Sequence, residues 1–423
     1  MSALLEGFRV LESASLLNGD HLGMCLADLG ADVIKVEAPG SGDYLRDILG
    51  QMAPHYSPAH VQLNKGKRSL ALNLKTDRGL DIFWRLHATA DVFIDGNVPG
   101  TCDRLGIGYE SQRAVRPTIV YCQYTGFGAS GPYSLIPTHG EMMNAAAASK
   151  PVRMGADGLV HPSEPPPGLF DASMGGAAPA AGAIYGAFHV AAALARRSIS
   201  GVGYRIDVSA SEAVVAHALM AAIYALNWDR IHDHKGLPAR DRGRLTGAKY
   251  QYYQTADEKY VLFCAIEPKF WRQFCEAVGR PDLLVRHDAS RAVDFGGDDD
   301  PLRRELQQIF SQRTQREWVA LASDCDIPIG PAYNDLRDLP HDPQMAAREI
   351  FLEGEHPVAG PFTYVGQPVV VEDQPYRVSR PAPALGEHND EILGELGITQ
   401  QDQTELAQSG VTAAVRRSLR HDA

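Results

Sequence analysis

The stretch "PSEPPPGLFDASMGGAAPAAGAIYGA", residues 162–187, places one carboxylate, Asp171, between a proline run and a long tract of Gly and Ala. Two kinds of chemistry suit it. An Asp ahead of a helix accepts the first-turn N–H groups and fits the positive end of the dipole. The other is that of a reactive carboxylate.

Such a group needs a rigid frame, and the chain reads as one. "FRVLES", "ADVIKVEAP", "RSLALNLK", "DVFIDGN" and "TIVYCQYTGFG" are strand candidates. "HLGMCLADLG" and "GLDIFWRLHATA" have helical spacing between them. Strands alternating with helices predict a doubly wound parallel sheet. The spacing is Rossmann-like, yet the turn after the first strand is "SASLLNGDHLG" and carries no GxGxxG, so no dinucleotide is expected. The Ala-rich segment 172–198 predicts a closely packed helix, and "GYRIDVSASEAVV" a strand entering another. Residues 228–248 are polar and charge-rich, as in a linker. Aromatic strands and the helix "EPKFWRQFCEAVG" then predict a smaller α+β domain. The tail carries short strands ("FTYVGQPVVV") and a last helix near 389–397. The expected division is 1–225 for the first part of a large domain, 226–340 for linker and small domain, and 341–423 for a return to the large one. "PVRMGADGLVHPSEPPPG", 151–168, reads as a loop leading to Asp171.

Composition narrows the class. With 423 residues, two domains are expected. A formal net charge of −12 argues against a general nucleic-acid binder. The six cysteines are scattered with no CxxC pair, so neither a metal site nor a disulfide framework is indicated. No basic leader precedes an apolar run, and no uninterrupted apolar stretch of membrane-spanning length is present. The expectation is a cytoplasmic enzyme with no membrane partner.

Seven phrases in order, "LADLGADVIKVEAPGSGDYLRD", "NKGKRSLALNLK", "DRLGIGYE", "TGFGASGPY", "GYRIDVSASEA", "DPQMAAREIF" and "APALGEHNDEIL", resemble the family III CoA-transferases, a superfamily that also holds α-methylacyl-CoA racemase. The resemblance covers nearly the whole chain. It implies an α/β fold: a large doubly wound, Rossmann-like domain built from both chain ends, a small α+β domain, and an interlocked homodimer. Coenzyme A is implied as the thioester substrate and product, with an acyl-CoA and a carboxylic acid as small-molecule partners and no tightly bound cofactor.

The resemblance also assigns residues. Asp171 matches the family's invariant aspartate, which forms a mixed anhydride and then an aspartyl-CoA thioester. His139, in "IPTHGEMMN", falls where transferases carry Tyr or His and racemases carry His. Racemases read Gly-His-Asp there, and this chain reads Thr138-His139-Gly140. Glu267, in "CAIEPKFW", resembles the racemase Ile-Glu-Pro phrase; without the resemblance it is a cap of the helix starting at Pro268. Arg46, Lys67, Arg68 and Arg104 are the implied contacts for CoA phosphates. Val98 stands where many relatives carry Arg. Asn18 stands near the reacting carboxylate of some transferases; read locally, Asn18-Gly19 is a tight turn. The glycine-rich loop of the formyl-CoA enzyme is not evident in "PARDRGRLTGAKY".

Two activities follow. The first is CoA transfer between an acyl-CoA and a carboxylic acid through Asp171. The alternative is racemisation of 2-methylacyl-CoA, with His139 and Asp171, assisted by Glu267, on opposite faces of the α-carbon, because one base alone returns the proton to the face it left.

Overall fold

The computed structural model describes residues 3–149, 151–163, 178–232, 240–241, 244–245, 247–288, 290–297 and 299–413. They divide into two compact units. The first holds described residues 3–149, 178–218 and 346–413, and the second holds 151–163 and 219–345.

The first unit is built on six parallel strands: β1 (Arg9–Ser13), β2 (Asp32–Glu37), β3 (Lys67–Ala71), β4 (Val92–Asp95), β5 (Val120–Thr125) and β6 (Tyr204–Ser209). Their order is β3-β2-β1-β4-β5-β6, so chain order reverses between β1 and β4. Strand residues alternate between two apolar cores. Val10, Val33, Ile94 and Val120 face α1 (Leu16–Asp28) and α3 (Ala178–Ser200). Leu11, Ile34, Phe93 and Tyr121 face α2 (Asp77–His87) and the C-terminal helices Asn389–Glu395 and Gln400–Gln408. Both faces are therefore covered, as a parallel sheet requires. Helix 400–408 follows the one expected to be last, because Gly397 turns the chain at φ +72° and Thr399 caps a further helix.

Edge strand β3 is closed by the same C-terminal segment. Its Ser69 amide donates to His388 Nδ1 (3.2 Å), and the Ala71 amide donates to Asn389 Oδ1 (2.9 Å). Free edge amides are thereby satisfied.

α3 is long and apolar enough to cross a membrane by composition, and half of its apolar window is buried inside the fold. Gly182 lets it seat closely, since a Cβ there would lie 2.3 Å from Tyr124 Oη.

The second unit pairs strands 251–254, 260–263 and 329–332 antiparallel, with helices 268–277, 300–310 and 315–325. Tyr253, Phe263, Trp271, Phe274, Phe310 and Trp318 fill its core. Residues 152–154 and 160–162, expected within a loop, form an antiparallel hairpin turned at Gly158, whose φ is +78°.

The part of the first sheet above β1–β3 is ionic rather than apolar. Glu12, Asp20, Lys35, Glu37, Asp43, Arg46 and Lys67 are all at most 5% exposed. Lys35 Nζ meets Glu12 Oε1 (2.9 Å), Asp43 Oδ2 (2.9 Å), the Ala14 carbonyl (2.9 Å) and Asp20. Lys67 Nζ donates to Glu12 Oε2 (2.7 Å) and the Asp20 carbonyl (2.8 Å).

Two outcomes are expected from this interior. A Cβ on Gly23 would fall 1.7 Å from Glu12 Oε2. Gly23→Ala should therefore destabilise the fold by about 1–3 kcal/mol, read as a lower urea midpoint. Burial also pushes His21 and His87 down to about 4. The unfolded chain binds these protons from about pH 6.5, so their contribution is complete above that pH and is lost as pH falls toward 4. The loss is at most about 1.4 kcal/mol per pH unit for a fully buried imidazole, and less for partly exposed His21. Urea midpoints should drop between pH 7 and 4.5, less steeply in His87→Phe; parallel curves for the two proteins would refute the assignment to His87.

Candidate functional site

A cavity of about 400 Å³ opens in the first unit where the strand order reverses. Its wall comes from the segments leaving three neighbouring strands: Ser15–Asn18 after β1, Gly96–Pro99 after β4, and Tyr124–Phe127 at the end of β5. Sheets of this kind bind ligands at that place, because the flanking connections part there. A larger cavity, about 640 Å³, lies in the second unit between Lys259, Arg316 and Tyr333. It lacks that relation to a parallel sheet.

The first connection is short and tightly held. Asn97 Nδ2 donates to the Ser13 carbonyl (3.0 Å) and to Asp95 Oδ1 (2.9 Å). The Gly96 amide also donates to Ser13 O (3.0 Å). The turns after β1 and β4 are thus stitched together beneath the cavity. Tyr121 Oη donates to the other Asp95 oxygen (2.7 Å) and fixes that carboxylate.

Asn18 is half-buried in the first turn of α1 and lines the cavity. It is helical, and not in the tight turn its Asn-Gly sequence suggests. His139 lines the same cavity from an exposed loop, between Thr138 and Gly140. Thr125 Oγ1, also in the lining residues, is buried. Tyr124 Oη donates to the carbonyl of Pro179 (2.8 Å), which joins the start of α3 to the cavity wall. Burial raises the Tyr124 phenol far above its ordinary range, so it stays neutral. The remaining wall is largely apolar: Tyr44, Ile48, Val98, Phe127, Ile136 and Met143. Asp171 lies outside the described residues; Ala178, the first residue of α3, follows it by seven positions.

Glu267 belongs to the second unit, at the N-cap position of helix 268–277, where its side chain makes no capping hydrogen bond. Three of the four expected phosphate contacts are interior instead. Arg46, 3% exposed, sends Nη2 to Glu37 Oε2 (2.9 Å) and Nη1 to the Pro383 carbonyl (2.7 Å). Lys67 is fully buried on Glu12. Arg68 is bound by Asp32 (2.6 Å), Glu391 (3.0 Å) and Glu395 (2.5 Å). A phosphate reaching any of the three would have to displace these carboxylates. Arg104 alone of the four is exposed, and among the described residues its guanidinium donates to Thr101 Oγ1 (3.0 Å).

Sequence reasoning missed Lys35 and Asp43, although "VIKVE" and "GSGD" display them. Alternating charges on a strand resemble a wet face, and only the burial of both faces shows otherwise. Lys35 rises well above its ordinary range because Asp20, Glu12 and Asp43 together outweigh the cost of burial. Asp43 is held low by Lys35 and the Leu45 and Leu16 amides, again against burial.

A sequence model described as CoA-transferase family III matches residues 5–389. The chain is 29% identical over 405 residues to succinyl-CoA:glutarate CoA-transferase of Homo sapiens, covering 93% of this chain and 86% of that one. It is 30% identical over 439 residues to formyl-CoA:oxalate CoA-transferase of Streptomyces coelicolor, covering 96% and 98%. The crystal structure of a CAIB/BAIF family protein from Brucella suis superposes with a TM-score of 0.69 at 25% identity, covering 94% and 100%. With a parallel α/β unit, a cavity at its switch point and a family match over most of its length, the chain is a member of CoA-transferase family III.

Proposed function

We propose that this enzyme moves CoA between an acyl-CoA and a carboxylic acid through Asp171. The observation that carries the reading is the switch-point cavity, whose wall includes Asn18, His139 and the start of α3, in a chain that matches the family from residue 5 to 389. Asp171 attacks the thioester carbonyl and expels the CoA thiolate, leaving a mixed anhydride. The thiolate then attacks the aspartyl carbonyl, which releases the first carboxylate and leaves an aspartyl-CoA thioester. The acceptor carboxylate attacks that thioester, and CoA returns to the acceptor's acyl carbon, freeing Asp171. Asn18 donates to the reacting carboxylate. The exposed guanidinium of Arg104 takes a CoA phosphate, where Val98 leaves the adjoining wall uncharged.

Racemisation is the second reading, favoured by His139 in the cavity wall. One incubation separates the two. A 2-methylacyl-CoA given without acceptor in D₂O should gain no α-deuterium if transfer is the chemistry; gain of one deuterium would establish proton abstraction. In the transfer reading, intact mass spectrometry after acyl-CoA addition should find one covalent CoA on the wild type and none on Asp171→Ala, whose exchange rate falls about a thousandfold or more. Unchanged turnover in that variant would remove both readings.

The working unit is a homodimer. Helix 219–227 buries none of its residues within one chain, leaving Leu219, Ile223 and Leu226 exposed, and α3 exposes Ile184 and Phe188. Exposed apolar side chains on each of these helices support that reading. Light scattering should give twice the 45.9 kDa of one chain, and Ile223→Glu with Leu226→Glu should shift the mass toward the monomer. A monomeric wild type would overturn this.

A further inference from the structure

Two walls of the switch-point cavity come from segments distant in sequence, 15–18 and 44–49. One buried side chain ties them. Asp43 accepts the Leu16 amide with both oxygens, at 3.2 and 3.1 Å. Its Oδ1 also accepts the Leu45 amide (2.9 Å) and so caps the turn Tyr44–Arg46. Its Oδ2 is paired with Lys35 Nζ at 2.9 Å. Its own amide donates to Glu37 Oε1 (3.0 Å).

Leu16 needs this attention. Its φ is +64°, a left-handed conformation that a branched side chain rarely adopts. The backbone turns there so that Leu16, Leu17 and Asn18 all reach the cavity wall. A backbone that strays into this region persists only where its surroundings over-determine it, and here the fork of Asp43 supplies the constraint. The same carboxylate fixes the turn that carries Tyr44 and leads to Ile48 and Leu49. Lys35, buried and itself held by Glu12 and Asp20, stops the fork from rotating.

We infer that Asp43 is a positioning residue of the transfer reaction, holding Leu16 left-handed so that Asn18 and the Tyr44 turn meet across one cavity. Its activity readout rests on the transfer reading above; its structural readout does not. Asp43→Asn keeps one acceptor oxygen, but sets an amide NH₂ against Lys35 and breaks the fork. The expected result is a kcat for CoA exchange at least about tenfold lower, with KM for the acyl-CoA within about twofold, since the variant disturbs the geometry of the reacting groups more than the grip on CoA. Hydrogen exchange should quicken together in peptides covering 14–18 and 44–49. Adding Leu16→Gly should restore most of the lost kcat, because glycine adopts φ +64° without the steric penalty that leucine carries there. A residue that merely stabilised the fold would not be rescued by that change.

Wild-type kcat in Asp43→Asn would overturn the inference. So would a loss that Leu16→Gly leaves unrepaired. If Asp43→Asn does not fold alone, the double variant decides: recovered folding and exchange support the role, and failure of both refutes it. If the wild type transfers no CoA, the transfer reading fails. Hydrogen exchange then still tests the clamp, and independent behaviour of the two peptides would refute it.

Discussion

The structure depends on a group of charges that never meets water. Four carboxylates, Glu12, Asp20, Glu37 and Asp43, and three cations, Lys35, Lys67 and Arg46, lie between the sheet and α1. Each desolvated ion costs several kcal/mol, and only close, fully partnered geometry offsets that. The partners are present: Lys35 has four oxygen neighbours, and Glu37 accepts from Arg46 and from Ser69 Oγ (2.5 Å). Burial, then the charges of Asp43 and Glu12, raise Asp20 well above the usual carboxylate range against the pull of Lys35 and Lys67. Such a group fixes geometry more than it adds stability, since every member is lost if one partner moves.

That explains which parts of the fold could be read from sequence. The strands of the first unit showed themselves because both faces of a covered parallel sheet are apolar, and α1, α2 and α3 carry helical spacing. Periodicity reports that a residue is inside, but not what it meets there. The resemblance, and no local pattern, places Arg46, Lys67 and Arg68 at CoA phosphates. Their anions turned out to be Glu37, Glu12 and Asp32, supplied from other strands at separations no local pattern reveals. The helix 400–408 was missed for a simpler reason: its sequence "QQDQTELAQ" buries only Gln403 and Leu406, too little to show a period.

The candidate site was legible in a different way. Asn18 and His139 reach one cavity because their segments leave the carboxyl ends of β1 and β5, which flank β4 in the sheet. Topology brings them together, and strand order is not written in either phrase. Glu267 is legible on local grounds. Its Glu-Pro step is a helix start on local grounds, and it occupies the N-cap position in the second unit. Leu16 could not have been foreseen, because nothing in "SASLLNGD" marks the leucine, rather than the Asn-Gly that follows, as the left-handed residue.

Placing the ionic group beneath an uncharged cavity has a chemical logic under the transfer reading. A carboxylate nucleophile gains reactivity when water is excluded, and loses it if a nearby negative field resists the approach of a second acid. Neutral Tyr124 and the apolar side chains of Ile48, Val98, Phe127 and Met143 exclude water without adding charge. A floor of unbalanced carboxylates would repel both the acceptor acid and the aspartate. A floor whose carboxylates are each paired with a buried cation holds the walls rigid while weakening that field. The charges that hold this enzyme together and the charges that react in it are thus kept apart by composition: ions in the floor, amides and apolar groups in the wall.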